Sequence, residues 1–292
     1  MSSTQPVLPE ASTWPAPAKI NLFLHVVGRR PDGYHLLQTV FQFLDFGDDI
    51  HLKARRDGRI ERVNDLPDVP PEADLVVRAA RLLAPHAPAG SGADIEVRKR
   101  IPMGGGLGGG SSNAATVLVG LNALWGAGLS EDALAALGLS LGADVPVFVR
   151  GRAAWAEGVG EHLTPVSPPE PWYLVIHPGA QVPTAAVFKD PQLTRNTPLS
   201  TIRSFPLADC HNDCEPVTRR LYPVVGEALD WLGKFADARM SGTGACLYAA
   251  FPSREAALAV GQQVPAAWTW FVAAGRNRSP LLDRLAREAG HR

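Results

Sequence analysis

The chain has 292 residues, of which 46% are hydrophobic and 20% charged, and its formal net charge is −1. That length holds about two domains at roughly 100–200 residues each, and the near-neutral balance excludes the basic footprint of a nucleic-acid binder. No apolar run is long enough to span a bilayer, the N-terminus lacks a secretion signal's basic-then-apolar pattern, and three cysteines cannot all pair within one chain, so a cytoplasmic protein with free thiols is expected.

Residues 1–13 are polar and proline-containing and read as a loose tail. Trp14-Pro15-Ala16-Pro17-Ala18-Lys19 leads into an alternating run from Ile20 to Val27. That alternation predicts a strand, with Lys19 and Asn21 on one face at its entry. Gly28-Arg29-Arg30-Pro31-Asp32-Gly33 is turn chemistry, and Tyr34-His35 follows it directly. Strands are predicted over Leu36–Leu44 and Ile50–Ala54, on either side of a Phe46-Gly47-Asp48-Asp49 turn. Residues 57–71 read as irregular. Asp74 to Ala84 reads as a helix with Asp74 as its N-cap.

From Ala93 to Ile101 the apolar and charged residues alternate. Ile95, Val97, Lys99 and Ile101 share one face; Asp94, Glu96, Arg98 and Arg100 share the other. This predicts a half-exposed strand. Ala114 to Leu124 has the composition of a buried helix, and Ser111, Ser112 and Asn113 are N-cap types at its start. Between strand and helix lies Pro102-Met103-Gly104-Gly105-Gly106-Leu107-Gly108-Gly109-Gly110. Glycine permits positive φ and puts no Cβ in a ligand's way. Successive N–H groups turned inward at a helix N-terminus favour an anion, so nucleotide phosphate is the expected ligand. A Walker loop would need lysine directly after its last glycine, and Ser111 stands there. Gly104-x-Gly106-x-x-Gly109 matches the dinucleotide pattern letter for letter. That pattern also needs a buried parallel strand before it and an acid ending a second strand about 20 residues on. This strand carries four charges on one face, and Glu131 and Asp132 open another helix. A flexible linker would not sit tightly between a strand and an apolar helix.

Ser130 caps a helix that ends near Gly138. Asp144 then precedes the apolar, strand-like Val145 to Val149, and is either a cap or a partly buried functional acid. Residues 153–166 read as a hairpin turning near Gly158 and Gly160, and Ser167 to Pro171 is the best domain boundary. Beyond it come a strand at Trp172–Ile176, a short apolar piece at Thr184–Phe188, an irregular stretch over 194–206 and one helix from Pro216 to Phe235. A second glycine turn, Ser241-Gly242-Thr243-Gly244, leads into another strand, followed by a helix over Arg254–Gln262, a strand over Thr269–Ala274 and a closing helix over Pro280–Ala289. This half reads as α+β with an antiparallel sheet. Cys210-His211-Asn212-Asp213-Cys214 supplies only part of a tetrahedral zinc set and is not read as a metal site.

Pro17-Ala18-Lys19 before a strand, the glycine–serine loop, Gly142-Ala143-Asp144-Val145-Pro146 and Ser241-Gly242-Thr243-Gly244, in this order, resemble the GHMP kinase superfamily of galactokinase, homoserine kinase, mevalonate kinase and phosphomevalonate kinase. Within it, Pro17 to Leu22, Arg30 to His35, Leu107 to Ser112, Gly142 to Pro146 and Asn212-Asp213 are similar to the branch that phosphorylates the C2 hydroxyl of 4-diphosphocytidyl-2-C-methyl-D-erythritol in non-mevalonate isoprenoid synthesis. The resemblance covers about Trp14 to Tyr248. It implies a two-domain α+β fold with the active site in the cleft between domains: residues 14–166 as the ATP-binding domain, residues 167–292 as a C-terminal α+β domain. Lys19 and Asp144 are then the catalytic pair. Pro102, Met103, Gly104, Gly105, Gly106, Leu107, Gly108, Gly109, Gly110, Ser111 and Ser112 would hold ATP phosphates, with Lys99 near the nucleotide. Tyr34 and Phe188 would clamp a cytosine and His35 would read its edge. Asn21, Thr184 and Lys189 would surround the rest of the acceptor, and Gly242 and Gly244 would let the second loop approach. Mg²⁺ would accompany ATP, with Ser112 the candidate ligand. The implied partner is a small molecule carrying cytidine diphosphate, with neither nucleic acid nor membrane; a homodimer is left open. Two positions depart from the resemblance: Asn113 stands where Asp is usual, and Asp74 where an Asn near adenine is usual.

The chemistry agrees with the pair. An alcohol is a poor nucleophile at neutral pH, so a carboxylate must accept its proton as the P–O bond forms. A neighbouring lysine stabilises the developing negative charge. A ligand sensor on the same fold would not need a proton acceptor. An enzyme for mevalonate or homoserine would have no base to stack on Tyr34.

Overall fold

A computed structural model describes residues 11–66, 69–201 and 210–290. Residues 1–10 of the expected tail and 202–206 of the expected irregular stretch lie outside these. Ser12 and Thr13 are not tail: strand β1 spans Ser12–Arg29 and pairs antiparallel with β2, His35–Arg55. Among the described strands β1 pairs with β2 alone, apart from an isolated bridge between Leu24 and Asn212, so Pro15 and Pro17, which lack an N–H, are tolerated on its outer edge. The register shifts between Pro17 and Lys19, and the Lys19 N–H donates instead to the Leu107 carbonyl, at 3.0 Å. This bulge brings the base of β1 against the glycine loop.

The expected turn at Phe46–Asp49 is absent, and β2 runs through it. Gly47 lies so close to β1 that a Cβ there would stand 2.3 Å from the Ala16 carbonyl oxygen. β3, Ile60–Arg62, occupies part of the segment read as irregular and pairs in parallel with β4, Gly92–Arg98. Helix α1 (Leu75–Leu83) is capped by Asp74 as expected, its carboxylate accepting from the Val76 N–H. Helix α2 (Gly109–Trp125) starts earlier than expected. Gly108 at φ 72° is its N-cap, so Ser111, Ser112 and Asn113 fall inside its first turns. α2 is apolar almost all round because it is covered on nearly every side, packing on β1, β2, α1, α3 (Glu131–Leu139) and α4 (Val145–Arg150).

The segment Val145–Arg150, read as strand-like, is helix α4. Pro146 suits a first helical turn, and the buried run Val145 to Val149 packs against α2 and α3. Burial decides here over the β preference of three valines. The hairpin follows as β5 (Ala154–Glu157) and β6 (His162–Pro165).

The second half holds β7 (Trp172–His177), α5 (Thr184–Lys189), α6 (Glu215–Leu221), α7 (Pro223–Leu232), β8 (Ala238–Met240), β9 (Leu247–Phe251), α8 (Arg254–Gly261), β10 (Thr269–Arg276) and α9 (Pro280–Gly290). The single helix expected over 216–235 is broken at Tyr222 by Pro223, which cannot donate to the preceding turn. Strands β7, β8, β9 and β10 pair antiparallel, as expected.

Among the described residues the sheet order is β3-β4-β2-β10-β7-β9-β8, with β1 and β5 also on β2. Thus β10 joins the halves by pairing with both β2 and β7. One core lies under α1–α4 and a second under α5–α8. A third, including Ile20, Leu22, Leu107, Val175 and Tyr248, fills the joint beneath the glycine loop. The chain leaves its first half near Val166–Pro171, and α9 returns to it: Leu281 is fully buried in the first core.

Three histidines are expected to make stability fall on acidification. Burial holds His25, His35 and His177 below the ordinary value of 6.5. Both ring nitrogens of His25 are buried without a hydrogen-bond partner. Where a folded-state pKa is depressed, the unfolded chain binds more protons, so stability falls as pH falls. Urea midpoints are therefore expected to hold above pH 6.5 and to drop steadily as pH is lowered through and below it. A midpoint that rises on acidification would contradict this assignment. Cys214 is fully buried, its thiol pushed up to about 12 by desolvation. Among the described residues no group of three His, Cys, Asp or Glu side chains could hold a metal ion.

Candidate active site

Lys19 and Asn21 sit on one face of β1, as its alternation predicts. Asn21 Oδ1 accepts from Lys19 Nζ at 2.6 Å, and the Gly106 carbonyl accepts from the same nitrogen at 3.0 Å. Asn21 is itself fixed: its Nδ2 donates to Thr39 Oγ1 (2.9 Å), whose hydroxyl donates to the Phe23 carbonyl. Phe41 lies beneath, its ring centroid 5.2 Å from Nζ. Lys19 is thus only 3% exposed, yet the remaining side of its ammonium faces Asp144 Oδ2 at 3.4 Å. The Asp144 side chain is 33% exposed, and although it stands at the N-cap of α4 it makes no capping hydrogen bond. One carboxylate is therefore held next to a buried cation and left open to the cleft, an arrangement suited to accepting a proton.

The two glycine loops are joined back to back. Cys246 N donates to the Gly105 carbonyl at 3.0 Å, and Ser241 Oγ donates to that of Gly106 at 3.0 Å. Asn212 Nδ2 donates to the carbonyls of Met240 and Gly242, holding the second loop from behind. In the first loop Gly104, Gly106 and Gly108 all have positive φ. A Cβ on Gly108 would stand 2.7 Å from the Phe148 ring, so nothing but glycine fits beside Lys19 there. α2 then opens without a side-chain cap, leaving backbone donors at its N-terminus for an anion.

These elements wall a cleft of about 500 Å³. It is lined by Lys19, Asn21, Lys99, Pro102, Met103, Gly104 through Gly110, Ser111, Asp144, Thr184, Phe188 and Gly242. Lys99 is ion-paired with buried Asp48. Ser112 is not on this wall. It is fully buried and donates to the Pro17 carbonyl, so Ser111 is the serine that faces the cleft. Lys189 is exposed at the end of α5, and Gly244 packs behind the second loop, where a Cβ would meet Met240 Sδ at 2.9 Å. Tyr34 is 64% exposed, and it is His35 that stacks on Phe188, at 5.0 Å between ring centres. Asp74 lines the cleft but has both oxygens engaged, one by Val76 N and one by Arg62. Asn113 Oδ1 is buried in the cleft wall without a hydrogen-bond partner, where a ligand donor would satisfy it.

Thr39 and Arg195 carry no signal in the sequence. Threonine in a strand and an arginine in a loop are ordinary, and only the fold shows what they hold.

Known proteins match this architecture. Residues 74–152 match the GHMP kinases N terminal domain and residues 203–269 the GHMP kinases C terminal domain. A crystal structure of 4-(cytidine 5'-diphospho)-2C-methyl-D-erythritol kinase is 33% identical, with a TM-score of 0.80, over 90% of this chain and 99% of that one. The chain belongs to the GHMP kinase family. It is a small-molecule kinase with that family's two-domain α+β fold. The homoserine kinase from Cytophaga hutchinsonii (16% identity, TM-score 0.64, 95% and 98% covered) and the L. major mevalonate kinase in complex with R-mevalonate (15%, 0.63, 96% and 99%) share the fold. In this GHMP kinase the N-terminal match contains the glycine loop and Asp144, while Lys19 lies before it.

Proposed function

We propose that this GHMP kinase transfers the γ-phosphoryl group of ATP to the C2 hydroxyl of 4-diphosphocytidyl-2-C-methyl-D-erythritol, a cytoplasmic step in isoprenoid precursor synthesis. The observation that carries the chemistry is the Lys19–Asp144 pair, 3.4 Å apart beside the glycine cradle. The acceptor is supported by the 33% identical kinase and by Phe188, which lines the cleft with His35 stacked on it. Among the described residues no helix is long and apolar enough to cross a membrane.

In this reading Asp144 takes the hydroxyl proton as the new P–O bond forms, and Lys19 offsets the charge that develops there. Asn21 and the Gly106 carbonyl hold Lys19 on target. The open N-terminus of α2 and the glycine loop bind and orient the phosphates. Mg²⁺, when bound, neutralises charge on the bridging phosphate oxygens. Such a cation takes few protein ligands, so Ser111, the serine that lines the cleft, is assigned to its side.

An ADP-release assay separates the acceptors. The cytidine compound should be phosphorylated, its uridine analogue much more slowly, and methylerythritol phosphate without a nucleotide more slowly still. Stacking on an aromatic ring tolerates any base, whereas a mismatched base edge leaves polar groups unpaired. Activity on mevalonate or homoserine, with none on the cytidine compound, would overturn the acceptor while leaving the kinase intact.

A further inference from the structure

Arg195 lies in the loop after α5 and reaches back across the cleft's aromatic side. Its Nε stands 3.0 Å from His35 Nε2. Its other nitrogens donate to the carbonyls of Leu193 (3.0 Å), Phe188 (3.0 Å) and Asp190 (2.7 Å). One guanidinium therefore ties the start of β2 to the C-terminal end of α5, the two places that supply His35 and Phe188. We infer that Arg195 is a positioning residue that locks His35 as an Nδ1–H donor and holds it against Phe188. This rests on the reading of His35 as the residue that recognises the base.

The lock follows from donor counting. A guanidinium has five N–H donors and no acceptor. Nε2 of His35 must then be the unprotonated nitrogen, and a neutral ring carries its proton on Nδ1. The ring is kept neutral first by burial, then by the charges of Arg195 and Arg29. The stack on Phe188, with rings 29° apart, removes the other freedom, rotation of the ring. A fixed Nδ1–H donor distinguishes two bases. Cytosine presents an acceptor at ring position N3, where uracil presents an N–H. A donor facing that N–H leaves both unpaired, which is how a hydrogen-bonding site rejects the wrong partner. Swapping the histidine tautomer would invert the preference, so selectivity resides partly in Arg195, a residue that need not touch the base.

Two measurements test this. Long-range proton–nitrogen spectra of the wild-type enzyme, with His35 assigned through H35Q, should show the Nδ1–H tautomer at neutral pH. An Nε2–H ring or a doubly protonated one would overturn the inference without any variant. Kinetics of Arg195→Met should then show the KM for the cytidine acceptor raised about tenfold or more. The KM for ATP should be unchanged, kcat nearly kept, and the cytidine-to-uridine preference reduced. Arg195→Lys, with one compact ammonium instead of a planar fork, should fall between; it also serves if the methionine variant does not fold. An unchanged preference with the tautomer retained in these variants would overturn the role of Arg195. A wild-type enzyme with the expected tautomer but no cytidine preference would instead overturn the base reading beneath it.

Discussion

Asp144→Asn is expected to lower kcat by about 10²–10⁴-fold while the KM for each substrate stays near its wild-type value. Asparagine keeps the shape of the side chain and can still lie beside Lys19, but it cannot take up a proton. The environment makes this variant informative. Asp144 makes no capping hydrogen bond on α4 and is one-third exposed, so its loss should not unfold the helix. The melting temperature should confirm that. Lys19, by contrast, is 3% exposed and hydrogen-bonded to Asn21 and Gly106, so removing it disturbs packing as well as charge. Single-turnover measurements on Asp144→Asn therefore isolate proton acceptance. A turnover matching the wild type would remove Asp144 from the role of base and leave the acceleration to positioning and charge, which a loose phosphoryl-transfer transition state permits.

Gly106→Ala is expected to destabilise the protein by at least about 3 kcal/mol and to abolish ATP binding, through left-handed backbone strain plus overpacking. Gly106 has φ +74°, and a Cβ there would stand 2.1 Å from the Ser241 carbonyl oxygen, a backbone atom that cannot turn aside. The Gly106 carbonyl also accepts from Lys19 and Ser241, so a shifted loop would misplace Lys19. Gly126→Ala is the control: φ is +68°, and nothing lies within 4 Å of the new Cβ. It should lose only the conformational part, about 1–2 kcal/mol. Urea denaturation of both variants, with calorimetry against ATP, measures the difference. Equal losses would mean that the two glycine loops are not in the close contact described.

The contrast between those two glycines marks what the sequence can convey. A run of glycines between an alternating strand and an apolar helix already implied a backbone cradle, because composition and period are local. That Gly106 touches Ser241 depends on packing between segments 135 residues apart. Lys19 and Asn21 were legible as one face of a strand, and their convergence on the loop was carried by the resemblance rather than by spacing. The misread parts have physical causes. Val145 to Val149 looks like a strand because valine favours one, and tertiary burial turned it into a helix. Pro223 was visible, but the apolar pattern on both sides hid its break. The helix cap at Gly108 was missed because serine is the better N-cap type, whereas here the loop needs a left-handed residue just before.

The return of α9 to the first core has a bearing on how the chain comes off the ribosome. Leu282 packs where a side chain on Gly151 would otherwise stand, and its neighbour Leu281 is fully buried among residues from the first half. Those leucines are translated after every strand and helix of the second half. Domains usually fold in the order in which they are made. Here the earlier one must wait, with part of its apolar interior uncovered, until the later one has closed the sheet through β10 and delivered the final helix. Completion of the first half thus waits on the second, and the nascent first half is the stage at which a chaperone would find most to bind.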